Sequence, residues 1–219
     1  MNAFLSRWAT VAGVILSLEI ATKGEDAPQD AQTSFEKAIA LFFEAKPKES
    51  VAAFDQGIKQ QPAAAPYLWQ RGLALYYAGD FAGGRKQFEL HQTVNPHDVE
   101  NAAWHFICVA KGSTVEEARK DLIPIHGDAR VPMKEVFELF AGEGSEEEVL
   151  KAANAGTAGS EQVRDQLCYA HLYLGLYDEA LGKVDEAKDH MLKAAKDYQM
   201  DHYMGKVAQV HVTLRGWAK

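Results

Sequence analysis

The chain has 219 residues, of which 47% are hydrophobic and 25% are charged, which is enough apolar material for one folded domain or one stack of small repeating units. Its formal net charge of −8 provides no net positive field to attract phosphates, which argues against a nucleic-acid partner. Two cysteines, Cys108 and Cys168, are too few for a disulfide framework, so we expect buried free thiols and a fold stabilised by packing.

Residues 1–27 are predicted to be a secretory signal peptide or an N-terminal anchor. Arg7 precedes the uncharged run Trp8–Leu18, and a polar stretch follows it. The run is shorter than the roughly 20 apolar residues of a membrane-spanning helix. Glu19 and Glu25 stand where a small residue is expected before a cleavage site, so cleavage stays open. We expect a periplasmic or secreted protein, with membrane anchoring by the N-terminus and a cytosolic helix as the alternatives.

The rest of the chain is predicted to be helical. Capping boxes, in which a hydroxyl and a carboxylate satisfy free N–H groups, mark helix starts at Thr33, Thr114 and Ser145. Asp98 and Ser160 are further N-cap candidates. Loops are predicted at Ile123–Pro132 and 155–160, and a last helix at 201–217.

A 34-residue period is the strongest pattern in the sequence. The pairs at this spacing are Ala38 with Gly72, Leu41 with Leu75, Phe54 with Phe88, and Pro62 with Pro96. The segment 31–98 therefore resembles the tetratricopeptide (TPR) repeat family, which places a small residue in the first helix of each hairpin, an aromatic residue in the second, and a proline eight residues later.

Weaker copies of the pattern follow. Ala118 takes a small position in a third unit that lacks the closing proline, and a later unit has Gly175, Ala187 and Met191 at the family's positions. The predicted repeats are residues 31–64, 65–98, 99–131, 132–158 and 161–199, with a capping helix at 201–217.

The resemblance implies an all-α, right-handed, TPR-like helical-hairpin solenoid with a C-terminal capping helix. Neighbouring hairpins would pack through Ala38, Phe54, Pro62, Gly72, Phe88, Pro96, Ala118, Gly175, Ala187 and Met191.

The same resemblance implies a protein-binding scaffold or adaptor. In the family, the first helices of the hairpins form a concave groove that receives a peptide or a partner's helix. In this chain the groove would comprise Phe35, Ile39, Phe42, Trp69, Leu73 and Tyr76. Because the Lys, Asn and Arg residues that hold acidic peptide termini in some members are missing, we expect apolar or amphipathic partner segments. The alternative is that these aromatic residues only pack between repeats.

Reactive residues form no recognisable motif, and no catalytic residue, metal or cofactor is predicted. His105 and Cys108 are three residues apart on a predicted helix, but their spacing matches no zinc pattern, so we expect a packed histidine. One alternative function is a small hydrolase or metal-dependent enzyme using His105, His126 and Asp128, the last two on a loop with Arg130. Another is a self-assembling structural protein, such as a homodimer.

Among exported proteins, the predicted architecture has a distant resemblance to TPR lipoprotein scaffolds of the bacterial envelope, which gather cell-wall hydrolases and proteases. No cysteine follows the N-terminal apolar run, which counts against lipid attachment.

Overall fold

The computed structural model describes residues 28–218, and this part of the chain is all-α without a β-strand. The predicted all-α class is therefore confirmed. The predicted signal peptide or anchor, at residues 1–27, lies outside the described residues. Within them, no helix combines the length and the hydrophobicity that crossing a membrane requires.

Most helices follow one another in pairs joined by short turns. The pairs are α1 (Pro28–Phe43) and α2 (Pro47–Gln60), α3 (Trp69–Ala78) and α4 (Phe81–Gln92), α5 (Val99–Gly112) and α6 (Val115–Lys120), α7 (Met133–Ala141) and α8 (Glu146–Ala153), and α9 (Glu161–Ala180) and α10 (Val184–Leu192). A 3₁₀ helix (Pro62–Tyr67) precedes α3, a π-helical turn (Lys193–Asp197) follows α10, and α11 (Tyr203–Leu214) is the last helix.

Local side-chain chemistry sets many of the helix ends. Asp98, Thr114, Ser145 and Ser160 each accept a hydrogen bond from a backbone N–H of the first turn, so these predicted N-caps are confirmed. The prediction that Thr33 caps a helix is wrong, because α1 already begins at Pro28.

Two turns between paired helices depend on glycine. Gly79 after α3 and Gly142 after α7 both adopt the left-handed conformation, with φ of 85° and 83°. This conformation disfavours residues with a Cβ atom, which explains why glycine ends these two helices.

Close approach between paired helices occurs at small residues. An added Cβ atom at Gly72 of α3 would lie 2.5 Å from the Phe88 ring of α4. One at Gly175 of α9 would lie 2.9 Å from Met191 of α10. In the first pair, the Ser50 hydroxyl donates a 2.7 Å hydrogen bond to the carbonyl of Ala38.

The other predicted packing positions divide by their burial. Phe54, Ala118 and Ala187 are fully buried. Pro62 and Pro96 are exposed: Pro62 begins the 3₁₀ helix after α2, and Pro96 lies in the turn after α4. A proline lacks the N–H needed to continue a helix, and its position after each helix reflects that local property.

The last of the described helices, α11, contacts the first of them, α1. Helix α5 is buried along nearly its whole length between α4, α6, α7 and α9. Helix α11 packs against α9, α10 and the π-helical turn, and it also contacts α1. The two ends of the described chain therefore meet.

Candidate functional site

The predicted groove residues lie largely in the interior. Phe35, Phe42, Leu73 and Tyr76 are at most 2% exposed, whereas Ile39 and Trp69 are half-buried. Phe35 packs against Phe54, and Tyr76 packs edge-on against Trp104.

Helix α11 covers the part of this surface formed by α1 and α3. The ring of Tyr203, at the start of α11, lies 4.7 Å from the rings of both Phe43 and Trp69, centroid to centroid, and 6.5 Å from Phe42. Such aromatic contacts add to the stabilisation from burial alone. The surface predicted to bind a partner thus binds a helix of the same chain.

A polar relay holds the other end of α11. His211 Nδ1 lies 3.0 Å from the hydroxyl of Tyr77 on α3, and His211 Nε2 lies 3.0 Å from Oε2 of Glu179 on α9. Arg215 donates to Oε1 of the same carboxylate at 2.7 and 3.0 Å. The buried Glu179 carboxylate therefore hydrogen-bonds Arg215, and it lies within ion-pair distance of His211 without a hydrogen bond between Nε2 and Oε2.

Charge complementarity stabilises this relay. Burial alone would raise the pKa of Glu179, but His211 and Arg215 outweigh it and lower this pKa to about 2. Burial lowers the pKa of His211, although the Glu179 carboxylate opposes the shift. At neutral pH we therefore expect an ionised Glu179 beside a neutral imidazole.

A second polar cluster forms around Arg130, on the loop between α6 and α7. Its guanidinium donates to Asp98 at 2.5 Å, to Asp128 at 2.6 Å and to Glu100. Asp128 also accepts a hydrogen bond from the backbone N–H of Val99. The cluster ties this loop to the first turn of α5.

Glu100 extends the cluster to α9. It accepts a 2.6 Å hydrogen bond from the hydroxyl of Tyr173, and burial, opposed by Arg130, raises the pKa of Glu100 to about 7. Perturbed carboxyl groups occur in active sites and also in structural networks. Because these side chains bond to one another, the geometry favours a structural role.

The residues of the alternative enzyme hypothesis are not brought into one cluster. His105 is buried, with Nε2 3.4 Å from Glu89. His126 is exposed, and Asp128 belongs to the Arg130 cluster. Cys108 is a buried free thiol, as is Cys168, and burial raises the pKa of both.

A third cluster, which was not predicted from the sequence, lies where α8, α9 and α10 meet. It comprises Glu146, Asp178 and His190, each of which offers a ligand atom within 4.8 Å of the others. His190 also contacts His171, whose pKa is lowered to about 4 by burial and by His190. Asp178 lies seven residues after His171, so the two share one face of α9, and this spacing is the only sequence signal for the cluster.

No protein-family model matches this chain.

Proposed function

We propose that this protein is a non-enzymatic, TPR-type scaffold that binds an apolar or amphipathic helix of a partner protein on the surface now covered by α11. The observation that carries the proposal is the insertion of Tyr203 among Phe42, Phe43 and Trp69. The surface already receives an amphipathic helix within the same chain, and helix-in-groove binding is a common mode of peptide recognition.

Helix α11 has the residue pattern of such a ligand. Tyr203, Val207, Val210 and His211 recur at spacings of four, three and one residues and are buried or half-buried, whereas Lys206 and Thr213 are exposed. Met204, Ala208 and Val212 are buried as well. Anchors at helical spacing are what a groove formed by side-by-side helices recognises.

Several features support exchange of α11 for a partner segment. Among the described residues it is the last helix, so its departure from the groove displaces no described helix after it. Its attachment combines aromatic contacts at one end with the Glu179 relay at the other. A partner helix with an aromatic anchor and a basic end would satisfy the same groups.

The predicted export signal suggests where the partner is found. We expect a protein of the bacterial envelope or the secreted fraction, with the mature chain as an adaptor. The TPR-like solenoid geometry is part of this proposal, and the hairpin contacts Gly72–Phe88 and Gly175–Met191 support it.

The test uses the α11 sequence itself as the probe. A fluorescent peptide of residues 201–217 is titrated into the wild-type chain and into a Tyr203→Ala/His211→Ala variant with a loosened α11. We expect saturable binding to the variant and little to the wild type, since the wild-type groove is occupied. Adding Trp69→Ala to the variant should weaken binding at least about tenfold, as loss of an aromatic anchor does.

The control is the same peptide with Tyr203 replaced by alanine, which should bind weakly. Absence of saturable binding by the loosened variant, or binding that does not depend on Trp69, would contradict the proposal. Sedimentation of the wild type separates this monomeric arrangement from a homodimer that exchanges α11 between two copies.

A further inference from the structure

The cluster of Glu146, Asp178 and His190 brings together groups from three helices. Glu146 is the first residue of α8, Asp178 lies near the end of α9, and His190 lies in the last turn of α10. His190 Nε2 is 3.8 Å from Glu146 Oε2 and 3.9 Å from Asp178 Oδ2. The three atoms therefore face a common point.

The second oxygen of each carboxylate is already bonded. Lys183 Nζ lies 3.2 Å from both Glu146 Oε1 and Asp178 Oδ1. These contacts involve Oε1 and Oδ1, whereas Oε2 and Oδ2 are the oxygens that lie near His190. One side of the cluster has a cation, and the other side presents three donor atoms.

Asp178 carries the strongest indication of a missing ligand. Its side chain is fully buried, and Oδ2 has no hydrogen-bond partner among the described residues. A buried carboxylate oxygen without a partner is costly unless a donor or a cation satisfies it. His190 Nε2 lies 3.9 Å from this oxygen, and histidine is a common metal ligand in proteins.

His171 completes the arrangement. Its Nδ1 lies 2.7 Å from Nδ1 of His190, so one of the two rings must donate to the other. If His190 uses Nε2 as a ligand atom, its proton is on Nδ1 and is donated to His171. Histidine ligands of metals generally have such a partner on the opposite nitrogen.

From this geometry we propose that Glu146, Asp178 and His190 bind a divalent first-row transition-metal ion, with Zn²⁺ as the test ion. One imidazole and two carboxylates suit zinc at about 2.0–2.2 Å per ligand, with water in the fourth position. Calcium prefers six or more oxygen ligands and fits this set poorly. His190 Nε2 lies 3.8 and 3.9 Å from the two carboxylate oxygens, and all three ligand atoms lie within 4.8 Å of one another, so the side chains must move closer to reach the roughly 3.3 Å separations of a tetrahedral zinc site.

The competing explanation is a plain ion-pair cluster that Lys183 neutralises. Its ammonium group is nearly half-exposed and lies on the opposite carboxylate oxygens. The two explanations differ in one consequence. If the site binds metal, removing the lysine charge strengthens zinc binding, because a nearby positive charge repels the ion.

Calorimetric titration of the metal-stripped full chain with Zn²⁺ tests the proposal. We expect one site per chain, and an affinity at least about tenfold lower in Asp178→Asn and in Glu146→Gln, each of which replaces one ligand oxygen by an amide. Asp189→Asn is the matched control, because Asp189 precedes His190 but pairs with Lys193 at the surface. This control should bind zinc as the wild type does.

Lys183→Met should bind zinc more tightly than the wild type. Circular dichroism checks folding, and if Asp178→Asn does not fold, Glu146→Gln alone decides, because Glu146 is over a third exposed. No stoichiometric zinc binding, or binding unchanged in the folded ligand variants, would overturn the proposal. Scaffold function is not involved, so either proposal can fail without the other.

Discussion

Gly72 is a position where an added side-chain carbon would disturb the packing of two helices. A Cβ atom there would meet the Phe88 ring at 2.5 Å, within a pair of packed helices. We expect Gly72→Ala to lower the free energy of unfolding by about 1–3 kcal/mol, as overpacking of a close-packed interface does. Chemical denaturation of the two proteins measures the difference.

Gly112→Ala provides the comparison. At Gly112, the last residue of α5, the nearest atom to an added Cβ is 3.6 Å away, which is ordinary van der Waals contact. We expect no loss of stability there, because alanine is the better helix former. Equal effects at the two glycines would show that Phe88 moves aside at little cost.

Helix α11 is the element on which the proposed binding depends. Its first turn is held by Tyr203 and its last turn by the Glu179 relay. We expect Tyr203→Ala to accelerate amide hydrogen exchange in 203–214 by at least about tenfold, since loss of one anchor favours local opening. Exchange in α5, buried at the centre, should change much less.

Tyr67→Ala is the control for that measurement, because Tyr67 is 42% exposed and lies in the 3₁₀ helix before α3. It should leave α11 protected. Equal acceleration of all helices in Tyr203→Ala would mean that α11 opens only when the whole protein unfolds, and exchange with a partner segment would then be excluded.

The whole molecule should lose stability in mild acid. Burial is the main cause that lowers the pKa of His91, His105, His202 and His211 below 6.5. Below pH 6.5 the unfolded chain therefore binds protons on these rings that the folded chain does not, and folding becomes less favourable.

Glu100 acts in the opposite direction. With its pKa raised to about 7, it keeps a proton in the folded protein that the unfolded chain releases above about pH 4.5. The pKa values of Asp165 and Asp178 are raised as well, whereas those of His171 and His190 are lowered like those of the other four imidazoles. Six imidazoles outweigh three carboxyls, so we expect the melting temperature to fall from pH 6.5 to pH 5. Below pH 4.5 the unfolded chain also binds a proton at Glu179, whereas the folded protein keeps this carboxylate ionised down to its pKa of about 2. The stability of the folded protein therefore falls further in this range. A melting temperature that is constant or rises towards pH 5 would contradict this expectation.

Local sequence patterns determined the class of the fold and many helix ends. Thr114 and Ser145 cap helices because each hydroxyl accepts a hydrogen bond from the backbone N–H three residues later. This arrangement involves only four consecutive residues, so the sequence alone predicts it. Gly72 and Phe88 match Ala38 and Phe54 at a spacing of 34 residues, and this spacing is visible in the sequence alone. These features depend on neighbours along the chain.

Tertiary structure alone decided which polar groups meet and what covers the aromatic surface. Tyr203 lies against Phe42, and Glu146 lies near His190, because helices that are far apart in the sequence pack together in the folded protein. No pattern of a few residues encodes these contacts. The Arg130 cluster has the same origin, since its carboxylates come from two segments about thirty residues apart that burial forces together.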